Sequence, residues 1–319
     1  MLFLAESDVV ALLSMKEAIC LLRVAFARLA AGEAQNQPRR RLTLPTGAVL
    51  HSMGGACGEY FGTKIYSTHP RHGAHFLVIL YRAEDARPLA LLEANHLGQI
   101  RTGAASGLAT DLMAREDAGT VGIIGSGFQA RTQLEAMLAV RGVRLARVWS
   151  RTAQNRERFA REMAGRFGLP VEAVESARDA VEGMDIVVTA TSAREPVMED
   201  GWVLPGTHVN ATGSNQAGRR ELPGELVGRA DRIAVDSMEQ ALMESGDLLL
   251  ALNEAGWQSS RLVELKDVVS GEVPGRRTPS EITVFKSNGL GLEDVAVAGW
   301  LYEEARERGV GRELPVLYS

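Results

Sequence analysis

Apolar residues near the start of the chain recur at helical spacing: Val9, Leu12 and Leu13, then Ile19, Leu22, Phe26 and Leu29. The pattern predicts two N-terminal helices, the second opened by a capping box of Ser14 and Glu17 and ended by Gly32. From about Ala48 the period changes. Short runs rich in β-branched and aromatic residues, at 49–53, 61–66, 76–81 and 88–92, predict strands, the last two joined as a hairpin around 82–87. An alanine-rich stretch over 99–115 reads as a helix, and beyond it strands and helices alternate, the sequence form of a parallel sheet. Strands are expected at 120–124, 144–149, 171–174, 186–190, 207–211 and 232–235, their apolar character suiting a sheet covered on both faces. A last strand at 282–285 leads into a helix over about 292–308. These switches put domain boundaries near Ala114 and Phe285.

One turn carries chemistry. The predicted strand ending at Ile124 runs directly into Gly125-Ser126-Gly127-Phe128-Gln129-Ala130 and then into a helical pattern. The first glycine permits the tight turn, the second lets backbone approach a pyrophosphate, Ala130 fills the small position where helix meets strand, and the helix N-terminus offers unpaired N–H groups. A lone G-x-G-x-x-G is weak, but with a strand before and a helix after it the signature points to a bound dinucleotide. The next strand should end in an acid if the adenosine ribose lacks a 2′-phosphate. It ends instead Trp149-Ser150-Arg151-Thr152, an arginine and two hydroxyls suited to a 2′-phosphate, so NADP(H) is favoured and NAD(H) is the alternative.

Composition narrows the partners. At 319 residues with 45% hydrophobic and 24% charged residues, two ordinary soluble domains are expected. A net charge of -5 with both signs interspersed gives no extended positive field, so nucleic acid is not an expected partner. No run approaches the roughly 18 apolar residues of a membrane span, and an acid at Glu6 interrupts any signal core, so a cytoplasmic location without membrane association is expected. The two cysteines, Cys20 and Cys57, read as reduced thiols. His69, His72 and His75 recur every three residues, yet they fall on a loop and a strand start rather than one helical face, so no metal site is expected.

With these residues in view, the chain resembles the ornithine cyclodeaminase/mu-crystallin family over nearly its whole length. The resemblance rests on Leu4 to Asp8 followed by two helices, Val49-Leu50-His51-Ser52-Met53, Gly62-Thr63-Lys64, and Arg101-Thr102-Gly103-Ala104 ahead of the glycine turn. Further matches are Asn210-Ala211-Thr212-Gly213-Ser214 with Arg220-Glu221-Leu222, and Lys286-Ser287-Asn288-Gly289 leading to Asp294. It implies an α/β fold in which a Rossmann-type, doubly wound parallel sheet domain (115–285) is inserted in a discontinuous α+β substrate and dimerisation domain (1–114 with 286–319), and it implies a homodimer. It also implies that an arginine before the first strand, the lysine of G-x-K and the arginine of R-T-x-A surround a substrate carboxylate. These fall on Lys64, on Arg101 and, to within one residue of the run Arg39-Arg40-Arg41, on Arg41. Lys64, beside a second cation, is the expected acid or base, and His75 is expected to line the substrate pocket. Thr102, Thr191, Ser214, Asn215, Ser287 and Gly289 are expected around the coenzyme.

Two positions depart from the cyclodeaminase pattern. Asn215 stands where those enzymes carry an aspartate, and an amide cannot exchange a proton as a carboxylate can. His51 stands where they carry an acid suited to ornithine's distal amine. The reading that follows is an NAD(P)H-dependent imino-acid reductase or amino-acid dehydrogenase acting on a cyclic ketimine carboxylate, with a small imino or amino acid as partner. Ornithine cyclodeamination and a non-catalytic, NADPH-carrying binding protein are the alternatives.

Overall fold

The computed structural model describes residues 1–255 and 261–315. The chain divides into two compact units, residues 1–101 with the segment from Gly289 onward, and Thr102–Asn288. The first unit opens with β1 (Leu2–Leu4), α1 (Glu6–Leu12) and α2 (Met15–Ala30), then β2 (Ala34–Thr43), β3 (Val49–Cys57), β4 (Tyr60–His69), β5 (Gly73–Arg82) and β6 (Pro88–Glu93). Helix α3 (Asn95–Met113) runs through the junction. The second unit follows with β7 (Thr120–Ile124), α4 (Phe128–Val140), β8 (Leu145–Trp149), α5 (Ala153–Phe167), β9 (Val171–Ala173), α6 (Ala177–Val181), β10 (Ile186–Thr189) and β11 (His208–Ala211). It is completed by α7 (Gly224–Arg229), β12 (Arg232–Val235), α8 (Met238–Glu244), α9 (Gly246–Ala255), β13 (Leu262–Glu264), α10 (Leu265–Ser270) and β14 (Thr283–Lys286). Helix α11 (Gly291–Arg308) and β15 (Arg312–Glu313) belong to the first unit.

Among the described residues the first unit holds one sheet in the order β15-β1-β6-β5-β4-β3-β2, with β2 through β6 an antiparallel meander. Helix α11 covers one face, packing on β2, β3, β4 and α2. Leu4, Phe26, Met53, Val78, Leu80 and Leu92 are buried on that side. Glycine permits the close seat of α11: a Cβ built on Gly291 would stand 2.4 Å from the Gly54 carbonyl oxygen, and one on Gly55 would stand 2.5 Å from the Leu292 nitrogen. The first turn of α11 is thereby pressed onto β3.

The second unit is a sheet of parallel strands in the order β13-β12-β14-β11-β10-β7-β8-β9. Buried aliphatic residues fill every position of β10 and β12 except the polar Thr189 and Arg232, as expected of strands covered on both faces. The chain winds outward from β7 through β8 and β9, then crosses to β10 on the other side, so β7 and β10 flank the switch point at which such sheets bind ligands. This is the doubly wound Rossmann-type sheet of the sequence reading.

Most predicted strands are present within a residue or two; β1, β2, β13 and β15 were not predicted. The most consequential is β2, whose sequence Ala-Gln-Asn-Gln-Pro-Arg-Arg-Arg-Leu-Thr is too polar to read as a strand and contains Pro38. It survives because it is the sheet edge, where a missing N–H is tolerated, and because its register slips between Gln37 and Arg40 at a bulge beside the proline.

Candidate active site

In the first unit, three basic side chains and two acidic ones converge at the buried face of the meander. Lys64, on β4, is 2% exposed and its Nζ lies 3.0 Å from Asp294 Oδ1. Arg101, on α3, donates to the same Asp294 oxygen through Nε at 3.0 Å and to Glu293 Oε2 through Nη1 at 2.8 Å. Arg39, on β2, is 5% exposed and donates to the Gly289 carbonyl at 3.4 Å. Three cations against two carboxylates leave one net positive charge in a buried cluster, the complement of a single carboxylate ligand.

Local structure sets each member. Glu6 accepts the backbone N–H groups of Asn95, at 3.2 Å, and His96, satisfying the free N-terminus of α3 and fixing the turn that carries Gly98 and Arg101. Gly98 leaves room for the ammonium, since a Cβ there would stand 2.9 Å from Lys64 Nζ. Gly289 has φ 77°, and a Cβ on it would stand 2.4 Å from Arg101 Nη1. Burial pushes the Lys64 ammonium down to about 8, with Arg101 and Arg39 acting in the same direction and Asp294 opposing them. Arg101, between two carboxylates, is held firmly protonated.

A row of rings borders the cluster. His51, Tyr66 and Phe76 are cross-strand neighbours. His51 stacks on Tyr66 with centroids 4.1 Å apart and planes at 4°, and Tyr66 on Phe76 at 4.9 Å. Lys64 Nζ sits 5.3 Å from the Phe76 centroid. His51 is buried and hydrogen-bonded to Thr68 Oγ1 at 3.1 Å, so the position expected to depart from the cyclodeaminase acid holds a ring stacked face to face on Tyr66 rather than a charge-seeking carboxylate.

Two expected substrate residues need correction. Arg41 pairs with His51 across β2 and β3 but is exposed, and the buried arginine of the run is Arg39, opposite Met53 at the bulge. The bulge breaks the alternation of the pleat, so sequence spacing alone could not select among the three arginines. His75 lies on the other face of the sheet from Lys64: Lys64 pairs with Val78 and Tyr66 with Phe76, which leaves His75 and Leu77 pointing outward by the two-residue period of a strand.

In the second unit a cavity of about 1100 Å³ opens at the ends of β7, β8 and β10, lined by Gly125, Ser126, Gly127, Phe128, Ser150, Arg151, Thr152 and Thr191 among others. Gly125 has φ 113°, and a Cβ on it would stand 2.4 Å from the Ala190 carbonyl oxygen, so the turn requires glycine. Gly127 caps α4 and has open space where a Cβ would be, so its smallness serves whatever approaches from the cavity. Ala130 is fully buried against the sheet, whereas Gln129, behind it on α4, is not among the lining residues. The first turn of α4 contains no acidic residue. Backbone N–H groups at a positive helix end, facing a cleft at a switch point, fit a pyrophosphate. At the far lip Arg151 is joined by Arg158, which was not foreseen, and Ser126 Oγ donates to Ser150 Oγ at 2.9 Å, linking the turn to the β8 end.

Among the remaining expected coenzyme residues, Thr191, Ser214 and Ser287 are tied into a structural network. Glu221, fully buried, accepts from Thr189 Oγ1 (2.8 Å), from Thr191 N and Oγ1 (both 2.7 Å) and from Gly213 N (2.7 Å). Asp247 Oδ1 accepts the N–H groups of Glu221 and Leu222, and its other oxygen lies 3.2 Å from Lys286 Nζ, which donates to the Ser214 carbonyl at 2.6 Å. Burial and the neighbouring Asp247 raise the Glu221 carboxyl above its ordinary range. Ser287 Oγ donates to Asp236 at 3.4 Å. This network ties together the loops after β10, β11 and β14. Thr102, Ser214, Asn215 and Ser287 are not among the cavity-lining residues, and Gly289 stands beside Arg39 and Arg101 in the first unit.

The sequence pattern of the ornithine cyclodeaminase/mu-crystallin family matches residues 1–309. The chain belongs to this family. It is 39% identical to a Delta(1)-pyrroline-2-carboxylate reductase of Bacillus cereus (strain ZK / E33L) over 263 residues, which cover 80% of this chain and 81% of that one. Among solved structures it superposes with a TM-score of 0.95 and 38% identity on the Thermococcus litoralis Delta(1)-pyrroline-2-carboxylate reductase in complex with NADH and L-proline, covering 98% of this chain and all of the other. An archaeal alanine dehydrogenase dimer with bound NAD gives 0.93 and 32% identity, with 99% of each chain covered. These family members act on C=N or CH–NH bonds with a nicotinamide coenzyme, and the cleft of this member has the features that such a coenzyme requires.

Proposed function

We propose that the chain is an NAD(P)H-dependent imino-acid reductase that converts a cyclic ketimine carboxylate of the pyrroline-2-carboxylate type into the corresponding cyclic amino acid, and that it also runs the reverse dehydrogenation. The observation that carries this reading is the buried cluster of Arg39, Lys64 and Arg101 with one positive charge in excess. Arg39 and Arg101 would hold the substrate carboxylate, since fixed guanidinium donors position a planar anion in a way that water cannot. Lys64 would place a proton on the imine nitrogen during reduction and remove one from the amine in reverse, a role suited to an ammonium whose affinity for its proton lies near the working pH. The bound nicotinamide supplies or accepts the hydride. The ring row His51, Tyr66 and Phe76 offers a flat apolar wall to a five- or six-membered ring and no carboxylate to a distal ammonium, which favours the ketimine over ornithine.

Arg151, with Arg158 nearby and hydroxyls at Ser150 and Thr152, would receive a 2′-phosphate, so NADPH is the proposed preferred coenzyme although the solved relatives carry NADH or NAD. A homodimer is proposed through the outer face of the meander, where Leu42 and Leu50 face each other across β2 and β3 and Leu77 lies on β5; they are 60%, 45% and 40% exposed, a patch suited to a second copy. No described helix is long and apolar enough to cross a membrane. A cytoplasmic location is proposed with the two free cysteines.

The test is a panel of pyrroline and piperideine carboxylates, pyruvate with an amine, and ornithine, each mixed with the protein and NADPH while the reduced-nicotinamide absorbance is followed. Loss of absorbance with a cyclic ketimine is expected. Proline and ammonia from ornithine, with no panel member oxidising NADPH, would overturn the proposal in favour of a cyclodeaminase; coenzyme binding without any turnover would make the chain a binding protein.

A further inference from the structure

The reductase reading assigns the proton to Lys64 but leaves unexplained why a site for a carboxylate contains two buried carboxylates of its own. They do not do the same thing. Glu293 reaches Arg101 at 2.8 Å, whereas one oxygen of Asp294 lies 3.0 Å from both Lys64 Nζ and Arg101 Nε. Both acids are fully buried, and the second Asp294 oxygen has no hydrogen bond among the described residues. They reach the sheet because α11 begins against β3 at the Gly54–Gly291 contact, so their position is built into the seat of the helix.

We propose that Asp294 is a positioning residue for proton transfer: its shared oxygen fixes the Lys64 ammonium beside Arg101 and holds the proton there until an imine nitrogen takes it. The proposal rests on the reading of Lys64 as the proton donor. The groups facing Lys64 are Arg101 and Gly98 from α3, Arg39 from β2, His51 from β3, Phe76 from β5, Tyr66 from its own strand, and Glu293 and Asp294 from α11. Arg39, Arg101 and burial all drive the proton off, and Asp294 is the partner in hydrogen-bond contact that keeps it on. Without Asp294 the strongest influences left on Lys64, burial, Arg101 and Arg39, all favour its neutral form. In the balanced step the hydride adds to the imine carbon, the C=N π pair becomes the nitrogen lone pair that takes the Lys64 proton, and neutral Lys64 is reprotonated from solvent before the next turnover.

The inference is tested on the full-length protein by pH profiles of kcat/KM in both directions and by titration of the Lys64 resonance in protein labelled with [ε-13C]lysine. The chain has only four lysines, Lys16, Lys64, Lys266 and Lys286, so assignment needs one variant for each. In Asp294→Asn the break in the reduction profile and the break in the oxidation profile should fall together by about 1 to 3 pH units, the usual effect of an opposite charge at this range, and the Lys64 midpoint should fall with them. Asp294→Glu keeps the charge and should stay near the wild-type break. Glu293→Gln should shift it less than Asp294→Asn does. A lower plateau with an unmoved break in Asp294→Asn would show a structural role only and overturn the proposal, as would a shift in Asp294→Glu equal to that in Asp294→Asn. If Asp294→Asn is unstable alone, the titration is run with coenzyme bound, which stabilises the fold by mass action. Lys64→Met separates the two readings. If the break persists without Lys64, the proton donor has been misassigned; if it vanishes there yet is unmoved in Asp294→Asn, only the role of Asp294 fails.

Discussion

The dinucleotide cleft is assembled from backbone nearly contiguous in sequence, residues 124–131 and 149–158 with the loop after β10, whereas the cationic cluster draws single side chains from positions 39, 64, 101, 293 and 294 and one backbone carbonyl from Gly289. In the cleft the working parts are a positive φ, a missing Cβ and a helix end; in the cluster they are charges whose meaning depends on what they face. A backbone site is written locally, because a turn that needs glycine needs it at fixed offsets from a strand and a helix. A charge site is written at long range, and any one of its side chains read alone is an ordinary surface charge.

The largest expected effect separates the two regions by function. Lys64→Met should lower reduction by about 10²- to 10⁴-fold, the usual worth of a general acid, and should remove the break near pH 8, because the acid form that is lost as pH rises through that value no longer exists. Coenzyme affinity, read by fluorescence titration, should not change. A parallel loss of coenzyme binding would mean that the two regions are not separable in this way.

The cleft is probed by a contrast within its own turn. Gly125→Ala places a Cβ against the Ala190 carbonyl at φ 113°, a strain of about 1 to 3 kcal/mol, and should lower Tm as well as weaken coenzyme binding by roughly ten- to a hundredfold. Gly127→Ala meets nothing within 4 Å and should leave Tm unchanged, any loss appearing only in the coenzyme dissociation constant. Equal loss of Tm in both variants would contradict the view that the first glycine serves the turn and the second serves the ligand.

The difference in legibility follows from the same physics. The glycine turn, its flanking strands and the parallel alternation were readable because period, apolarity and glycine offsets are local. In the cluster, Lys64 and Arg101 were reachable only through the resemblance. Arg39 was displaced from the expected Arg41 by a bulge that no pattern in a polar, proline-containing edge strand announces. His75 went to the wrong face because a loop and a strand start give no phase for the two-residue alternation, while the hairpin register does. Asp294 was reachable only as a match to the family and Glu293 not at all, since both sit on a helix buried along most of its length, where the role of an acid shows only once its burial is known. One unused signal was available: the chain contains 31 arginines and four lysines, and two of those lysines, Lys64 and Lys286, are almost wholly buried, one in each unit.

The smallest expected effect tests the lip of the cleft, where the two kinds of site meet, since Arg151 is a charge set at the end of a backbone-built turn. It is exposed and lines the cavity with Ser150 and Thr152, so in the proposed reading its worth is confined to what the adenosine ribose carries. Arg151→Asp should therefore leave Tm and kcat with saturating coenzyme unchanged while moving the ratio of NADPH to NADH affinity by roughly tenfold toward NADH, because a carboxylate repels a 2′-phosphate and accepts from a ribose 2′-hydroxyl. Arg158 stands close enough to retain part of the phosphate attraction, so the double variant with Arg158→Ala should shift the ratio further. An unchanged ratio in both variants would remove the basis for preferring NADPH and leave the NADH of the solved relatives as the better guide.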